Sequence, residues 1–259
     1  MEHMNLPETG AWPAVLAEGH TVLTDANGGS PAERVERDRA LGERVAASGG
    51  PATYRIWTNQ RCIVATRREA RLPSYRAAAD ASGARGWPLV LRDSGGTAIP
   101  HLEDTLQFTL ALPRRAQEEP SIESVYRALG APIKAALEKL GYRAAFGEVP
   151  RSFCDGRFNL VVDGRKVAGS AQRWAGGVPG SRGKSGYILA HLSLWVGGDL
   201  VEATEAVNRF LEEAGGSGGF DPHAVSSLNA LAPGPATGLG DLADLRAVLQ
   251  DELQQSAGG

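Results

Sequence analysis

The dipeptide Asp163-Gly164 is the feature that most constrains how this chain can fold. It stands between two runs suited to β-strands, FNLVV (158–162) and RKVAG (165–169). Asp-Gly between two such runs is the strongest short signal for a β-hairpin, because both residues tolerate the positive φ angles of a two-residue turn. The sequence therefore predicts an antiparallel strand pair on either side of this turn.

The rest of the chain alternates between strand-like and helix-like segments. Strands are predicted at 54–66, where the turn at Asn59-Gln60 breaks the run, at 88–100 on either side of a Gly-Gly loop, at 106–113 and at 187–197. Helices are predicted from Pro31, capped by Ser30, to Gly49-Gly50, and at 121–140, 200–214 and 241–253. Locally paired strands interspersed with helices indicate an α+β fold with a mixed, largely antiparallel sheet flanked by helices.

We expect one domain over residues 31–255, preceded by a loosely ordered lead-in over residues 1–30. A formal net charge of −3 leaves no excess of Lys and Arg to replace the counterions of a nucleic acid, so no nucleic-acid partner is expected. No apolar run approaches the ~20 residues that span a bilayer. The first twenty residues hold acids and a proline where a signal peptide needs a basic start and an apolar core. The expectation is a cytoplasmic protein without membrane contact.

The two cysteines have different surroundings. They lie 92 positions apart and do not suggest a disulfide framework, so both thiols are expected to be reduced. Cys62, in the strand-like RCIVAT, fits the usual role of a free cysteine as a small buried hydrophobe. Cys154 precedes Asp155-Gly156, on a turn leading into a strand, where side chains are exposed. The local sequence leaves both a nucleophile and a packing residue open for Cys154.

Two further segments could carry chemistry. Lys166 stands twelve positions after Cys154, beside the run of small residues AGSA (168–171). Such a run lets a ligand or another backbone approach closely, so the Lys166 ammonium could face a carbonyl or phosphate oxygen. The loop RDSGGT (92–97) could present backbone N–H groups to the same kind of oxygen, although it lacks the spacing of a P-loop or a dinucleotide fingerprint.

Other polar segments give weaker signals. His101 and His191 lie on or near predicted strands, with no third ligand at metal-like spacing, so no metal site is predicted. The basic, glycine-rich stretch 175–186 fits either a mobile lid or a solvated loop.

Three motifs in order resemble one known family. GRKVAGSAQR (164–173), RDSGGTAIPHLEDTLQFTLALP (92–113) and YILAHLSLWVGGDL (187–200) resemble the lipoate–protein ligase and octanoyltransferase superfamily, which is related in fold to biotin–protein ligases. SFCDGRFNLVVDGRKVAG (152–169) looks most like the cysteine-dependent octanoyl amidotransferase branch. The resemblance implies the biotin/lipoyl protein ligase catalytic-domain fold, which is class II synthetase-like. It departs at Thr97, where the ligases usually have a third glycine.

The resemblance also implies a mechanism. Cys154 would carry an octanoyl or lipoyl group as a thioester, and Lys166 would orient the acyl carbonyl, with no cofactor required. The acyl group would pass to a lysine of a lipoyl-domain acceptor protein. The residues implied to bind substrate come from the matching motifs: Arg92, Ser94, Gly95, Gly96, Thr97, His101, Gly169, Ser170, Gln172 and His191.

Several alternatives stay open on the sequence. One is an ATP-dependent lipoate–protein ligase that forms an acyl-adenylate, using ATP and Mg. Another is a protein that binds an acyl chain or a lipoyl domain without catalysis. The donor could be an acyl carrier protein or a glycine-cleavage-type lipoyl protein, and the preference between octanoate and lipoate is undecided.

Overall fold

The computed structural model describes residues 16, 18–25, 28–115, 119–177, 185–231 and 241–257. Within this part of the chain, two sheets and five helices surround a buried core. Most of the stretch 175–186, on which a lid or a solvated loop was predicted, lies outside the described residues, as do residues 1–15.

The larger sheet has seven strands in the order β1-β2-β6-β10-β9-β8-β7. All neighbours in it are antiparallel except β1 and β2, which are parallel. Its strands are β1 (His20–Thr24), β2 (Ala52–Thr58), β6 (Thr105–Pro113), β7 (Ala145–Gly147), β8 (Asn159–Val162), β9 (Arg165–Ala175) and β10 (Tyr187–Trp195).

The smaller sheet has three strands in the order β4-β3-β5, and five helices flank the two sheets. Its strands are β3 (Cys62–Thr66), β4 (Leu89–Arg92) and β5 (Ile99–His101). The helices are α1 (Pro31–Ser48), α2 (Tyr75–Ala84), α3 (Ile122–Lys139), α4 (Leu200–Glu213) and α5 (Leu242–Ala257). The α+β class predicted from the sequence is confirmed.

Local signals set the ends of the helices as predicted. Ser30 caps α1 in a capping box with Glu33, Pro31 occupies its first turn, and Gly49 ends it in the left-handed conformation. Ser121 caps α3 through the backbone N–H of Ser124.

The predicted hairpin is confirmed, and it contains an irregularity that the sequence did not reveal. Asp163 and Gly164 have φ angles of 48° and 76°, as a tight two-residue turn requires. The pairing shifts along the strands, because Val161 faces Lys166 whereas Leu160 faces Ala168. The extra residue in β9 is a β-bulge, which reverses the faces on which the following side chains lie.

The larger sheet is buried on both faces. The even-numbered side chains of β10, such as Ile188 and Leu192, pack in one cluster with α3 and α5. The odd-numbered Tyr187 and Leu189 pack against Leu41 of α1 on the other face. The smaller sheet forms a separate cluster with α2 and α4. The side chains of β10 at 187, 189, 191 and 193 therefore face the space between the larger sheet, α1 and the smaller sheet.

Three sequence-based expectations differ from the structure. Within the expected loose lead-in, His20–Thr24 form β1 and pair with β2, so this part of residues 1–30 belongs to the sheet. The strands after Asn59 were expected to continue the same sheet, but β3, β4 and β5 form their own. Helix α2 and strand β7 were not predicted. Helix α2, with sequence YRAAADASGA, buries only Ala78 and Ser82, so it carries little of the apolar periodicity on which a prediction depends.

Candidate active site

Cys154 lies in the turn before β8, where its backbone has a φ angle of 47°. The side chain is half-buried rather than exposed as its turn position had suggested. Asn159 fixes the backbone of this turn, because its side-chain amide donates to the Cys154 carbonyl oxygen (2.8 Å) and its Oδ1 accepts from the N–H of Ser170 (3.3 Å). The turn is thereby attached to β9.

Thr97, which lies in the Gly-Gly loop, contacts the Cys154 thiol with both its backbone and its side chain. Its backbone N–H donates to the Cys154 Sγ (3.1 Å), and its Oγ1 lies 3.4 Å from the same sulfur. The N–H of Cys154 in turn donates to the Thr97 Oγ1 (3.0 Å). Gly96 lets the loop come this close, because a Cβ placed on it would lie 2.5 Å from the sulfur.

Lys166 is buried beside the cysteine turn, with 0% of its surface exposed. Its Nζ donates to the carbonyl oxygens of Phe153 and Cys154, the latter at 3.3 Å. The bulge explains this position. Val167 and Ala168 both pack in the cluster with α3, so the alternation breaks and Lys166 lies on the opposite face. A Cβ on Gly169 would lie 3.3 Å from the Lys166 Nζ, so the gap left by this small residue is filled by the lysine.

The charges around the sulfur favour its ionised form. Burial raises the pKa of the Cys154 thiol, but the charges of Arg92 and Lys166 and the hydrogen bonds from Thr97 outweigh that effect and hold the pKa below its ordinary value. Burial lowers the pKa of the Lys166 ammonium to about 8, against the opposing charges of Cys154 and Asp155. The two shifts therefore enlarge the fraction of protein in which a Cys154 thiolate stands beside a Lys166 ammonium.

Arg92 connects the cysteine to a neighbouring histidine. Its Nη2 lies 3.6 Å from the Cys154 Sγ and donates to the carbonyl oxygen of Thr97 (2.8 Å), and its Nη1 lies 3.3 Å from the His191 Nε2. Burial and the Arg92 charge lower the pKa of His191 to about 3, so the ring is neutral. Because a guanidinium only donates, the His191 Nε2 accepts, and it also accepts from the Ser94 hydroxyl (3.0 Å).

A cavity of about 450 Å³ opens on the other side of Arg92, between α1 and the two sheets. This volume is in the range of sites for small molecules. Its apolar lining includes Val35, Trp57, Val64, Ile99, Tyr187 and Leu189, and its polar lining includes Arg92, Ser94, His101, Gln107, Arg173, His191 and Ser193. Cys154 and Lys166 are not among the described residues that line it, so the Arg92 guanidinium stands between the cavity and the thiol.

His101 lies in the cavity wall next to the larger sheet. Burial lowers the pKa of its imidazole to about 3. Its Nδ1 accepts from the Asn59 amide (3.2 Å), which places the ring proton on Nε2, 3.4 Å from the Ser193 hydroxyl. This hydroxyl donates to the Gln107 Oε1 (2.6 Å). His101 is therefore a neutral member of a buried hydrogen-bond chain.

Other residues predicted to bind substrate lie elsewhere. The Ser170 hydroxyl donates to the Phe158 carbonyl (2.8 Å), and the Gln172 amide donates to the carbonyl of Ile122 (3.0 Å). Both side chains lie on the face of β9 opposite to Ala171 and Arg173, and neither is among the residues that line the cavity. A Cβ on Gly95 would have no atom within 4 Å.

Sequence reasoning missed two residues of the site. Asn159, which holds the cysteine turn, occupies an ordinary strand position in FNLVV. Arg173 forms an ion pair with Asp93 of the Gly-Gly loop (2.8 Å) and lines the cavity. The only sequence signal for them is their position inside two family motifs, 152–169 for Asn159 and 164–173 for Arg173.

The described residues contain neither a metal-binding cluster nor a membrane-spanning helix. They hold no group of three or more His, Cys, Asp or Glu side chains placed to bind a metal ion. None of the described helices is long and apolar enough to cross a bilayer. Both cysteines are free.

Comparison with known proteins identifies the family. The profile of the lipoyl protein ligase A/B catalytic domain matches residues 30–252. The chain belongs to this family. It is 43% identical to an octanoyl-[GcvH]:protein N-octanoyltransferase of Kyrpidia tusciae over 89% of this chain and 77% of the relative. A second protein of that name, from Geobacillus kaustophilus, is 30% identical over 68% of this chain and 58% of the relative.

Solved structures of the family share the fold. Lipoate-protein ligase A bound with ATP superposes with a TM-score of 0.62, at 17% identity, over 92% of this chain and 84% of that one. The bi-partite lipoate protein ligase of Thermoplasma acidophilum superposes with a TM-score of 0.59, at 17% identity, over 92% of this chain and 83% of that one. The biotin/lipoyl protein ligase fold expected from the motifs is confirmed.

Proposed function

We propose that this protein transfers an octanoyl group to a lysine of a lipoyl domain, through a thioester on Cys154. The observation that carries the proposal is the environment of the sulfur. A free, half-buried thiol accepts a backbone N–H bond from Thr97, lies 3.6 Å from the Arg92 guanidinium and stands beside a buried lysine. Such surroundings lower a thiol pKa and produce a nucleophile. The two octanoyltransferases at 43% and 30% identity support the same activity.

The donor that we propose follows the names of these relatives. They act on octanoyl-[GcvH], an octanoyl group already attached to a carrier protein. A donor of this glycine-cleavage type carries its octanoyl group as an amide on lysine, so no carboxylate needs activation and the reaction needs no ATP. The acyl group that the enzyme transfers is then octanoyl.

The first half of the reaction forms the acyl-enzyme. The Cys154 thiolate attacks the octanoyl carbonyl, a C–S bond forms, the C–N bond to the donor lysine breaks, and the departing amine takes up a proton from the solvent. The Lys166 ammonium has three N–H donors, of which two reach the carbonyls of Phe153 and Cys154, so one is left for the acyl oxygen. A donor fixed in this way stabilises the charge that develops on that oxygen.

The second half reverses these steps with another lysine. The neutral amine of the acceptor attacks the thioester, a C–N bond forms, the C–S bond breaks, the thiolate leaves and the amine nitrogen releases one proton to the solvent. Between the two halves, we propose that the octanoyl chain lies against the apolar part of the cavity, at Val64, Ile99 and Leu189. Each buried methylene contributes about 0.8 kcal/mol to holding it there.

Intact-mass analysis tests the proposal. The protein is incubated with an octanoyl-loaded carrier of the glycine-cleavage type and an acceptor lipoyl domain, without ATP, and in parallel with free octanoate and ATP. We expect the acceptor to gain one octanoyl group in the first reaction and none in the second. Modification only with free octanoate and ATP would make the protein a ligase. Complex formation without modification in either reaction would make it a binding protein.

A further inference from the structure

All polar atoms of Thr97 are turned toward Cys154 or toward the arginine beside it. The backbone N–H and the hydroxyl of Thr97 contact the sulfur (3.1 and 3.4 Å), the hydroxyl oxygen accepts the N–H of Cys154 (3.0 Å), and the carbonyl accepts from the Arg92 Nη2 (2.8 Å). If Thr97 only completed the loop, it would not need to contact the thiol at all. From this geometry, and accepting Cys154 as the nucleophile of the proposed function, we propose that Thr97 is a positioning residue that holds the cysteine and stabilises its ionised sulfur.

The hydrogen bonds fix the direction of each proton when the sulfur is ionised. A thiolate only accepts, so the Thr97 hydroxyl must donate its one proton to the sulfur, while its lone pairs accept the N–H of Cys154. When the sulfur carries a proton, the S–H can turn to the Thr97 carbonyl oxygen, 3.7 Å away. A hydrogen bond to a charged sulfur is stronger than one to a neutral thiol, so the Thr97 hydroxyl stabilises the ionised form more than the protonated one.

The same hydroxyl holds the backbone of the cysteine. With a φ angle of 47°, Cys154 has a left-handed conformation that a residue with a side chain adopts at a cost, and neighbouring bonds must maintain it. The Thr97 Oγ1 binds the Cys154 N–H and the Asn159 amide binds the Cys154 carbonyl, so the residue is held on both sides. Without the hydroxyl, one of these two bonds is lost.

The other groups that face the sulfur do not depend on this hydroxyl. They are the charges of Arg92 from β4 and Lys166 from β9, Tyr126 from α3, which interacts electrostatically with Cys154, and the neighbouring Asp155, which acts on Lys166. None of these groups is hydrogen-bonded to the Thr97 hydroxyl, and the Thr97 carbonyl that binds Arg92 is kept in the variants. A change in the ionisation of Cys154 in such a variant therefore reports on the hydroxyl.

The experiment compares Thr97→Val, which keeps the shape and the backbone N–H but loses the hydroxyl, with Thr97→Ser, which keeps the hydroxyl. The rate of alkylation by iodoacetamide is measured from pH 5 to pH 10, in a Cys62→Ala background so that Cys154 is the only thiol. We expect Thr97→Val to raise the apparent thiol pKa and to slow alkylation near neutral pH by about tenfold or more, while Thr97→Ser stays within about threefold of the parent. The exposed Thr21 provides the control Thr21→Val, which should alkylate like the parent.

A transfer assay adds the second readout. We expect Thr97→Val to lower the kcat of octanoyl transfer with little change in KM, and Thr97→Ser to restore it. If Thr97→Val is unstable by thermal melting, Thr97→Ala replaces it. An unchanged pH profile of alkylation in the hydroxyl-free variant, or an equal shift in Thr97→Ser, would overturn the proposal. Because alkylation needs no acyl donor, this result stands apart from the question of whether the protein transfers octanoate at all.

Discussion

A Cβ on Gly96 would lie 2.5 Å from the sulfur of Cys154, closer than any side chain can approach it. Gly96 also has a φ angle of 103°, which residues with a side chain rarely adopt. The Gly-Gly loop can therefore reach the thiol, and place the Thr97 N–H on it, only because this position has no side chain.

Gly96→Ala should consequently reduce octanoyl transfer. The new methyl group would displace either the loop or the sulfur, and a displacement of about 1 Å at a reacting group lowers a rate by about 100-fold. The measurement is kcat/KM for transfer, with circular dichroism to confirm folding.

Gly219→Ala is the matched control for that substitution. Gly219 has a comparable φ angle of 109°, but a Cβ on it would have no atom within 4 Å. It experiences the same backbone strain without a collision with the sulfur, so its activity should stay close to that of the parent. Equal losses in both variants would mean that strain alone explains the effect.

The two cysteines should differ in whether they become acylated. Cys62 has no exposed surface, and burial raises the pKa of its thiol to about 12, whereas Cys154 is half-buried and more acidic than usual. We expect a thioester, sensitive to hydroxylamine, in Cys62→Ala but not in Cys154→Ala, formed from an octanoyl carrier without ATP and detected by intact mass. Retention of ATP-driven lipoylation by Cys154→Ala would replace the transferase mechanism with that of a ligase.

The sequence predicted the hairpin and the main helices because their signals are local. Asp163-Gly164 and the cap at Ser30 act within a few residues, so they can be read without the rest of the fold. Both segments of the active site could be named on the same grounds, together with a resemblance that covers most of the chain.

The contacts inside the site could not be predicted, since they join distant positions. Thr97 and Cys154 are 57 positions apart. Only the folded chain shows that the half-buried Cys154 sulfur contacts the Gly-Gly loop. The burial of Lys166 depends on the bulge in β9, which is set by the register with β8 and by the bridge from Lys166 to Val225. Simple alternation would have placed Lys166 on the same face as Ala168.

Lys166 should be required for the reaction and should also support the cysteine turn. Lys166→Met fills a similar volume but lowers transfer by about two or more orders of magnitude, close to 3 kcal/mol of transition-state stabilisation. Because the carbonyl of Phe153 would lose its donor, we also expect a loss of about 1–3 kcal/mol in the free energy of unfolding, measured by urea denaturation.

Lys166→Arg should not restore activity. The Nζ already lies 3.3 Å from where a Cβ of Gly169 would stand, so the site has no room for a planar guanidinium. Lys139→Arg is the control, since that lysine is exposed on α3 and forms an ion pair with Glu252 of α5. Activity of Lys166→Arg within a few fold of the parent would show that any positive charge is sufficient.

The last prediction concerns pH and follows from the two pKa shifts. Acylation needs the thiolate, which forms as pH rises through a thiol pKa held below its ordinary value, chiefly by Arg92 and Lys166 against the effect of burial. It also needs the Lys166 ammonium, which is lost as pH rises through about 8. The single-turnover rate of acylation should therefore pass through a maximum and fall on the alkaline side as pH rises past about 8, where the Lys166 ammonium is lost. Alkylation of Cys154 by iodoacetamide needs the thiolate alone, so its rate should level off over the same range and not decline. An acylation rate that stays on its plateau to pH 10 would show that the proton on Lys166 takes no part in the reaction.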